Sequence, residues 1–310
     1  MKLAFVFPGQ GSQAVGMLDS LSANAAAADI VRRADAALGK PISALIAAGP
    51  AEELALTVNT QPAMLTTSMA LYAAWRAAGG PAPVVMAGHS LGEYSALTAA
   101  GVFTLEDAVG LVRFRAQAMQ EAVPVGTGMM AAILGLTDEQ VQQACAEAAQ
   151  GEVVEAVNFN APAQVVIAGH KAAVERACEA AKRLGAKRAL PLAVSAPFHS
   201  SLLAPASAQL AARLTRIAMQ PPQVAVINNI DVAAETDPER IRDALARQAA
   251  GPVRWSQIIA KMAGEGVTHV VECGPGKVLS GLTRRIAPAV EALAIHDQAS
   301  LDDTLARLRA

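Results

Sequence analysis

Apolar residues along the chain gather into short unbroken runs, which alternate with longer stretches where they recur every three or four positions. Leu3–Phe7 is the first such run; closed by Pro8-Gly9, it reads as a buried strand entering a tight loop. Asn24–Leu38 has helical spacing and stops at Gly39-Lys40-Pro41, and Gln61–Ala78 is a second helix ended by Gly79-Gly80. Val84–Gly88 reads as a strand, followed by helices over Ser90–Ala100 and Thr104–Ala122, the latter with Thr104 and Asp107 at capping-box spacing. Short strands alternating with helices predict a parallel sheet covered on both faces.

The middle of the chain changes pattern. Strands are expected at Met129–Leu134, Val153–Asn158, Gln164–Gly169 and Lys187–Leu192, with helices at Thr137–Gln150 and Lys171–Leu184. That order, βαββαβ, is the split βαβ arrangement of a small ferredoxin-like domain. The parent pattern then resumes, with helices at Leu202–Met219, Pro238–Ala250, Arg254–Gly264 and Lys277–Ile286, and strands at Val224–Asn228, His269–Cys273 and one ending at His296. The expected architecture is a large parallel-sheet, α/β-hydrolase-like domain formed by residues 1–123 and 198–310. A small ferredoxin-like domain, residues 124–197, is inserted into it.

Composition narrows the class. Hydrophobic residues make up 53% of the 310 residues but aromatics only 3%, so the core must be built from small aliphatic side chains. With 25 basic and 27 acidic residues the net charge is −2, which disfavours nucleic-acid binding through phosphate neutralisation. Mean hydropathy is positive, at +0.32. However, the long uncharged runs Leu54–Trp75 and Ala189–Ala212 carry Asn, Gln, Ser, Thr, His and Pro, and so read as buried elements rather than membrane spans. Leu3–Phe7 is too short for a signal peptide. Three scattered cysteines (Cys145, Cys178 and Cys273) suggest a reducing compartment, hence the cytoplasm, and no metal or disulfide framework.

The strongest chemical signal is Gly88-His89-Ser90-Leu91-Gly92, a G-x-S-x-G between an expected strand and an expected helix. Its glycines allow the sharp turn that lifts the Ser90 hydroxyl clear of the backbone. Such a serine needs a base. Of the five histidines, His199 is the best placed, where the chain re-enters the large domain, although its spacing fits a surface loop equally well. His89 follows an extended strand next to Ser90, so a packing role is expected for it. No acidic residue stands out as a third triad member, so a neutral acceptor, such as a backbone carbonyl, is expected to orient His199. Pro8-Gly9-Gln10-Gly11 ends the first strand on the edge where parallel sheets bind ligands, so the N–H groups of Gln10 and Leu91 form a candidate oxyanion hole, as compatible with a simple turn. Arg113 and Arg115 lie about 200° apart around their helix, so at most one faces the site. Gly274-Pro275-Gly276-Lys277 lacks Walker spacing and reads as a helix start. Lys182, Arg183, Lys187 and Arg188 form a local basic cluster that could receive an acidic partner.

Together these segments resemble the malonyl-CoA:acyl-carrier-protein transacylase family. The matching stretches are FVFPGQGSQ, GHSLGEYSAL, VRFRAQAM, NFNAPAQVVIAG, PFHSSLL, QAAGPVRW and ECGPGKVLSGL, in family order over nearly the whole chain. The resemblance implies ping-pong transfer of a malonyl group from malonyl-CoA, through an ester on Ser90, to the phosphopantetheine thiol of acyl carrier protein. It makes His199 the general base and Gln10 and Leu91 the oxyanion hole. Arg115 becomes the malonyl-carboxylate ligand, and Gln248 the residue whose carbonyl orients His199. It also places Asn160 near the site entrance and Phe198 where malonyl is chosen over methylmalonyl, with no bound cofactor or metal and no nucleic-acid or membrane partner. A serine esterase would instead need an acidic triad member and no Arg115, and an inert carrier-protein-binding scaffold would leave Ser90 unreactive. Service to fatty-acid elongation, to a polyketide synthase or to a malonate decarboxylase complex stays open at this stage.

Overall fold

A computed structural model of the chain describes residues 1–309. Its strands are β1 (Leu3–Phe7), β2 (Val85–Gly88), β3 (Gly128–Leu134), β4 (Val154–Ala161), β5 (Gln164–His170), β6 (Arg188–Pro191), β7 (Ala225–Ile227), β8 (His269–Cys273) and β9 (Glu291–Ile295). The main sheet has the order β7-β2-β1-β8-β9 with every pair parallel, so the strand ends that lead to Gln10 and Ser90 gather on one edge.

The two-residue period of β1 explains how this sheet is covered. Leu3, Phe5 and Phe7 point into one core with the helices Ala25–Leu38, Thr57–Ala77, Gly92–Ala99 and Leu105–Glu121. Ala4 and Val6 point the opposite way, into a second core with the helices Trp255–Gly264 and Val278–Ile286.

The second sheet runs β4-β5-β3-β6 and is antiparallel throughout, the ferredoxin-like order. Its alternation divides in the same way. Ala131, Ile133, Val165 and Ile167 pack under the helices Asp138–Ala149 and Lys171–Arg183. Met130, Val166 and Ala168 pack on Met119, Phe198 and Leu203 of the large part. A backbone pair ties the sheet to the large part beside the site: Phe159 N–H donates to the Val253 carbonyl at 2.9 Å, and Val253 N–H to that of Val157 at 2.8 Å.

Several expected elements shift. The helix expected from Gln61 begins at Thr57, with Pro62 near enough to the start that few ladder bonds are forfeited. The helix expected over Leu202–Met219 runs only from Ala204 to Leu214, and the Arg242 guanidinium satisfies the carbonyls of Leu214 and Ile217 at and beyond its end. Thr104 and Thr137 cap their helices as their spacing implies. The helices Ile42–Ala48, Ala51–Ala55 and Gln298–Arg309 were not expected. Among the described residues no helix is long and apolar enough to cross a membrane.

Candidate active site

The turn after β2 is tight. A Cβ on Gly88 would lie 1.8 Å from the Gly92 backbone, and one on Gly92 would lie 2.0 Å from the Phe7 carbonyl oxygen, so no side chain fits at either position. Ser90 sits between them at φ +53°, a left-handed conformation costing about 1–3 kcal/mol that the surroundings must hold. Asn229, in the loop after β7, supplies that hold. Its Oδ1 accepts the Ser90 N–H at 2.7 Å and its Nδ2 donates to the Gly88 carbonyl at 2.7 Å.

His199 also sits in the left-handed region, at φ +67°, and brings its Nε2 to 2.7 Å from Ser90 Oγ across 109 residues of sequence. Its other nitrogen, Nδ1, faces the carbonyls of Gln248 at 3.0 Å and Gly251 at 3.2 Å. Both partners are acceptors, so the proton resides on Nδ1 and Nε2 offers a lone pair to the serine hydroxyl. Burial, reinforced by the positive charge of Arg115, lowers the His199 pKa to about 3, so the ring is neutral at physiological pH. Neutral carbonyls, not a carboxylate, orient the imidazole.

The two arginines of the Leu105–Glu121 helix diverge. Arg113 reaches away to the Leu38 carbonyl. Arg115, only 2% exposed, turns inward. Its Nη1 donates to Gln61 Oε1 at 2.8 Å, and its Nη2 to Gln248 Oε1 at 3.0 Å and Ser90 Oγ at 3.1 Å. The guanidinium carbon lies 5.3 Å from the centre of the Tyr94 ring. Among the described residues no carboxylate pairs with it, and its Nε–H has no partner. A buried cation held only by neutral groups, one of them the serine hydroxyl, is suited to receiving an anion there.

A cavity of about 140 Å³ lies against these groups, walled by Gln61, His89, Arg115, Phe198 and His199. Gln10, Leu192 and Val194 border both this cavity and a wider surface groove of about 580 Å³ that runs between the Gln10–Gln13 loop and residues 192–195. Among the described residues the backbone N–H groups of Gln10 and Leu91 have no acceptor, and both residues line the cavity. The Gln10 side chain is engaged elsewhere, accepting from Thr57 Oγ1 at 3.0 Å.

His89 is held by Asn160, with Nε2 and Oδ1 2.8 Å apart, and rests against Trp255; burial lowers its pKa. Asn160 thus supports a wall residue, and the asparagine that lines the cavity itself is Asn158. His170, His269 and His296 bond to Val153, Glu291 and Asp297, away from the cavity. Lys182, Arg183, Lys187 and Arg188 are all exposed and lie outside it. Lys182 pairs with Glu179 at 2.7 Å. Among the described residues no group of three or more His, Cys, Asp or Glu could hold a metal ion.

Sequence reasoning misses Gln61, Tyr94, Asn229 and Glu93, and also the Gln248 amide, since the family resemblance points only to the backbone carbonyl of Gln248. The polar pair Asn228-Asn229 directly after an apolar strand was the one signal available for Asn229.

An acyl transferase domain family matches residues 4–293. The malonyl CoA-acyl carrier protein transacylase of Escherichia coli strain K12 is 55% identical over 301 residues, covering 97% of each chain. The crystal structure of an acyl-carrier-protein S-malonyltransferase from Burkholderia pseudomallei 1710b is 61% identical, with a TM-score of 0.97, covering 99% of this chain and 100% of that one. A malonyl-transacylase solved in complex with its holo type II PKS acyl-carrier protein is 50% identical, with a TM-score of 0.97, covering 99% of this chain and 100% of that one.

Proposed function

The chain belongs to the acyl transferase domain family, and from that premise we propose that it transfers malonyl groups from malonyl-CoA to acyl carrier protein by way of an ester on Ser90. The observation that carries the choice of acyl group is the buried, carboxylate-free Arg115 guanidinium 3.1 Å from Ser90 Oγ. A dicarboxylic half-thioester satisfies it with a forked, charge-assisted pair, whereas a plain acyl chain leaves the cation unpaired.

The geometry gives each group a task. Ser90 Oγ attacks the thioester carbonyl while its proton passes to His199 Nε2, 2.7 Å away. The N–H groups of Gln10 and Leu91 receive the carbonyl oxygen as it becomes an oxyanion. The C–S bond then breaks, and the departing CoA thiolate takes the proton from His199. In the second half-reaction the phosphopantetheine thiol gives its proton to His199 and attacks the ester, and Ser90 recovers the proton as it leaves. Arg115 and His199 are coupled: the arginine's charge lowers the imidazole pKa, so a malonyl carboxylate seated on Arg115 relieves that effect and makes His199 a better base. Arrival of the correct substrate therefore helps to activate the site.

Phe198, on the cavity wall beside His199, limits room for a branch on the acyl chain and so favours malonyl over methylmalonyl. The exposed Lys182, Arg183, Lys187 and Arg188 are the docking surface we assign to the acidic carrier protein. Fatty-acid elongation is the process such a product supplies. Three buried free cysteines fit a reducing cytoplasm, with no bound cofactor required by these steps. The test is an initial-rate study with both substrates varied. Ping-pong transfer gives parallel double-reciprocal lines; intersecting lines, or hydrolysis without transfer to the carrier thiol, would overturn the proposal.

A further inference from the structure

Glu93 has no part in the steps above, yet it is 2% exposed and stands in the first turn of the Gly92–Ala99 helix. Its Oε2 accepts two hydrogen bonds, from the Asn229 backbone N–H at 2.8 Å and from Gln248 Nε2 at 2.9 Å. Each donor belongs to a residue that holds the site. Asn229 clamps the turn on either side of Ser90. Gln248 Nε2 also donates to the Ser90 carbonyl at 3.0 Å, while its Oε1 accepts from Arg115 Nη2 at 3.0 Å.

A primary amide has one donating end and one accepting end. Here Glu93 Oε2 at 2.9 Å and the Ser90 carbonyl at 3.0 Å, with Asn229 Oδ1 farther off at 3.5 Å, meet the donating end, so the accepting end is turned to the guanidinium. Without Glu93 the donating end keeps only the Ser90 carbonyl at 3.0 Å and a longer contact to Asn229 Oδ1 at 3.5 Å, so the amide is held far less firmly. A flip would set its NH₂ against the Nη2 of Arg115, donor facing donor, and the guanidinium would move off its line to Ser90.

We propose that Glu93 is a positioning residue for acyl selection: by fixing the Gln248 amide and the Asn229 loop, it keeps the Arg115 guanidinium aimed at the acyl group on Ser90. The proposal rests on the reading that Arg115 takes the malonyl carboxylate. It separates Glu93 from a merely structural buried acid, because the effect falls on the choice of acyl group and not on acylation in general.

The experiment compares acylation of Ser90 by malonyl-CoA and by acetyl-CoA in the wild type, Glu93→Ala, Glu93→Gln and Glu93→Asp. Leaving a buried donor unpaired predicts that Glu93→Ala loses about tenfold or more in malonyl kcat/KM, mainly through KM, with acetyl acylation much less affected. Glu93→Gln keeps a carbonyl acceptor at the same reach and retains the malonyl preference. Glu93→Asp keeps the charge but withdraws the acceptor from Gln248, so the preference falls. That pair decides the matter even if Glu93→Ala does not fold. Adding Gln248→Ala to Glu93→Ala costs less than Gln248→Ala costs alone. Equal losses for malonyl and acetyl, or preference kept by Asp and lost by Gln, overturn the proposal. A wild type that forms no malonyl ester at all instead overturns the transacylase reading.

Discussion

Replacing Arg115 with Leu removes the cation that faces Ser90 while keeping much of the apolar volume of the side chain. In the wild type the guanidinium is buried with neutral partners, Gln61 Oε1 at 2.8 Å and Gln248 Oε1 at 3.0 Å, so an incoming carboxylate forms a desolvated ion pair with it. Removing one member of a buried ion pair costs about 3–5 kcal/mol. At about 1.4 kcal/mol per factor of ten, malonyl kcat/KM should fall on the order of 10²–10³-fold, the lower part of that range because the thioester end still binds. Acetyl-CoA should respond in the opposite sense. It offers no anion to Arg115, and removing the arginine frees a lone pair on Ser90 Oγ and lets the His199 pKa rise toward its ordinary value. Acetyl acylation should therefore hold steady or increase, so that the malonyl-to-acetyl ratio collapses. Single-turnover acylation by each thioester, followed by quenched intact-mass measurement with thermal melting as a folding control, reads both arms. A common fall for malonyl and acetyl in a well-folded variant would refute the role of the guanidinium as the selective group.

Three further outcomes follow from the same geometry. Because the His199 pKa is lowered to about 3 by burial and Arg115, kcat/KM for malonyl acylation should stay level from about pH 8 down to about pH 5; a break at the ordinary histidine value of ~6.5 would contradict a neutral buried base. Glu93 is raised to about 7 by burial, so the folded state holds its proton where the unfolded state, near 4.5, has lost it. Its contribution to stability is present below pH 4.5 and is lost as pH rises through 7; Glu93→Gln should thus gain in Tm relative to wild type between pH 5 and pH 8, and a constant or shrinking difference would count against it. Charge reversal at Lys187 and Arg188 should slow discharge of the ester to acyl carrier protein severalfold and leave acylation by malonyl-CoA unchanged; equal effects on both half-reactions would remove this patch from docking.

Much of this arrangement was legible in the sequence. The apolar runs of β1, β2 and β8 and the βαββαβ order announced both sheets, because strand burial leaves a pattern that survives without context. Gly88 and Gly92 marked the turn at Ser90 for a steric reason, the lack of space for a Cβ. His199 was not fixed by spacing, since its partner lies 109 residues away and only the fold brings them to 2.7 Å. Helical geometry showed that Arg113 and Arg115 diverge but not which one turns inward. Gln61, Glu93 and Gln248 are harder still. Each is a polar residue on a helix, with the same local signature as a solvated position, and its burial is decided by packing against segments distant in the chain. Glu93 in a first helical turn looks like an ordinary N-terminal carboxylate, and its function lies in the two donors that only the fold delivers.

The central claim is a malonyl ester on Ser90 that acyl carrier protein discharges. Wild-type protein mixed with malonyl-CoA, quenched in acid and digested should carry the malonyl mass increment on the peptide containing Ser90, and the increment should vanish when holo acyl carrier protein is added before the quench and appear on its phosphopantetheine arm. A protein that stays unmodified, or an adduct on another residue that the carrier thiol does not remove, would contradict the account.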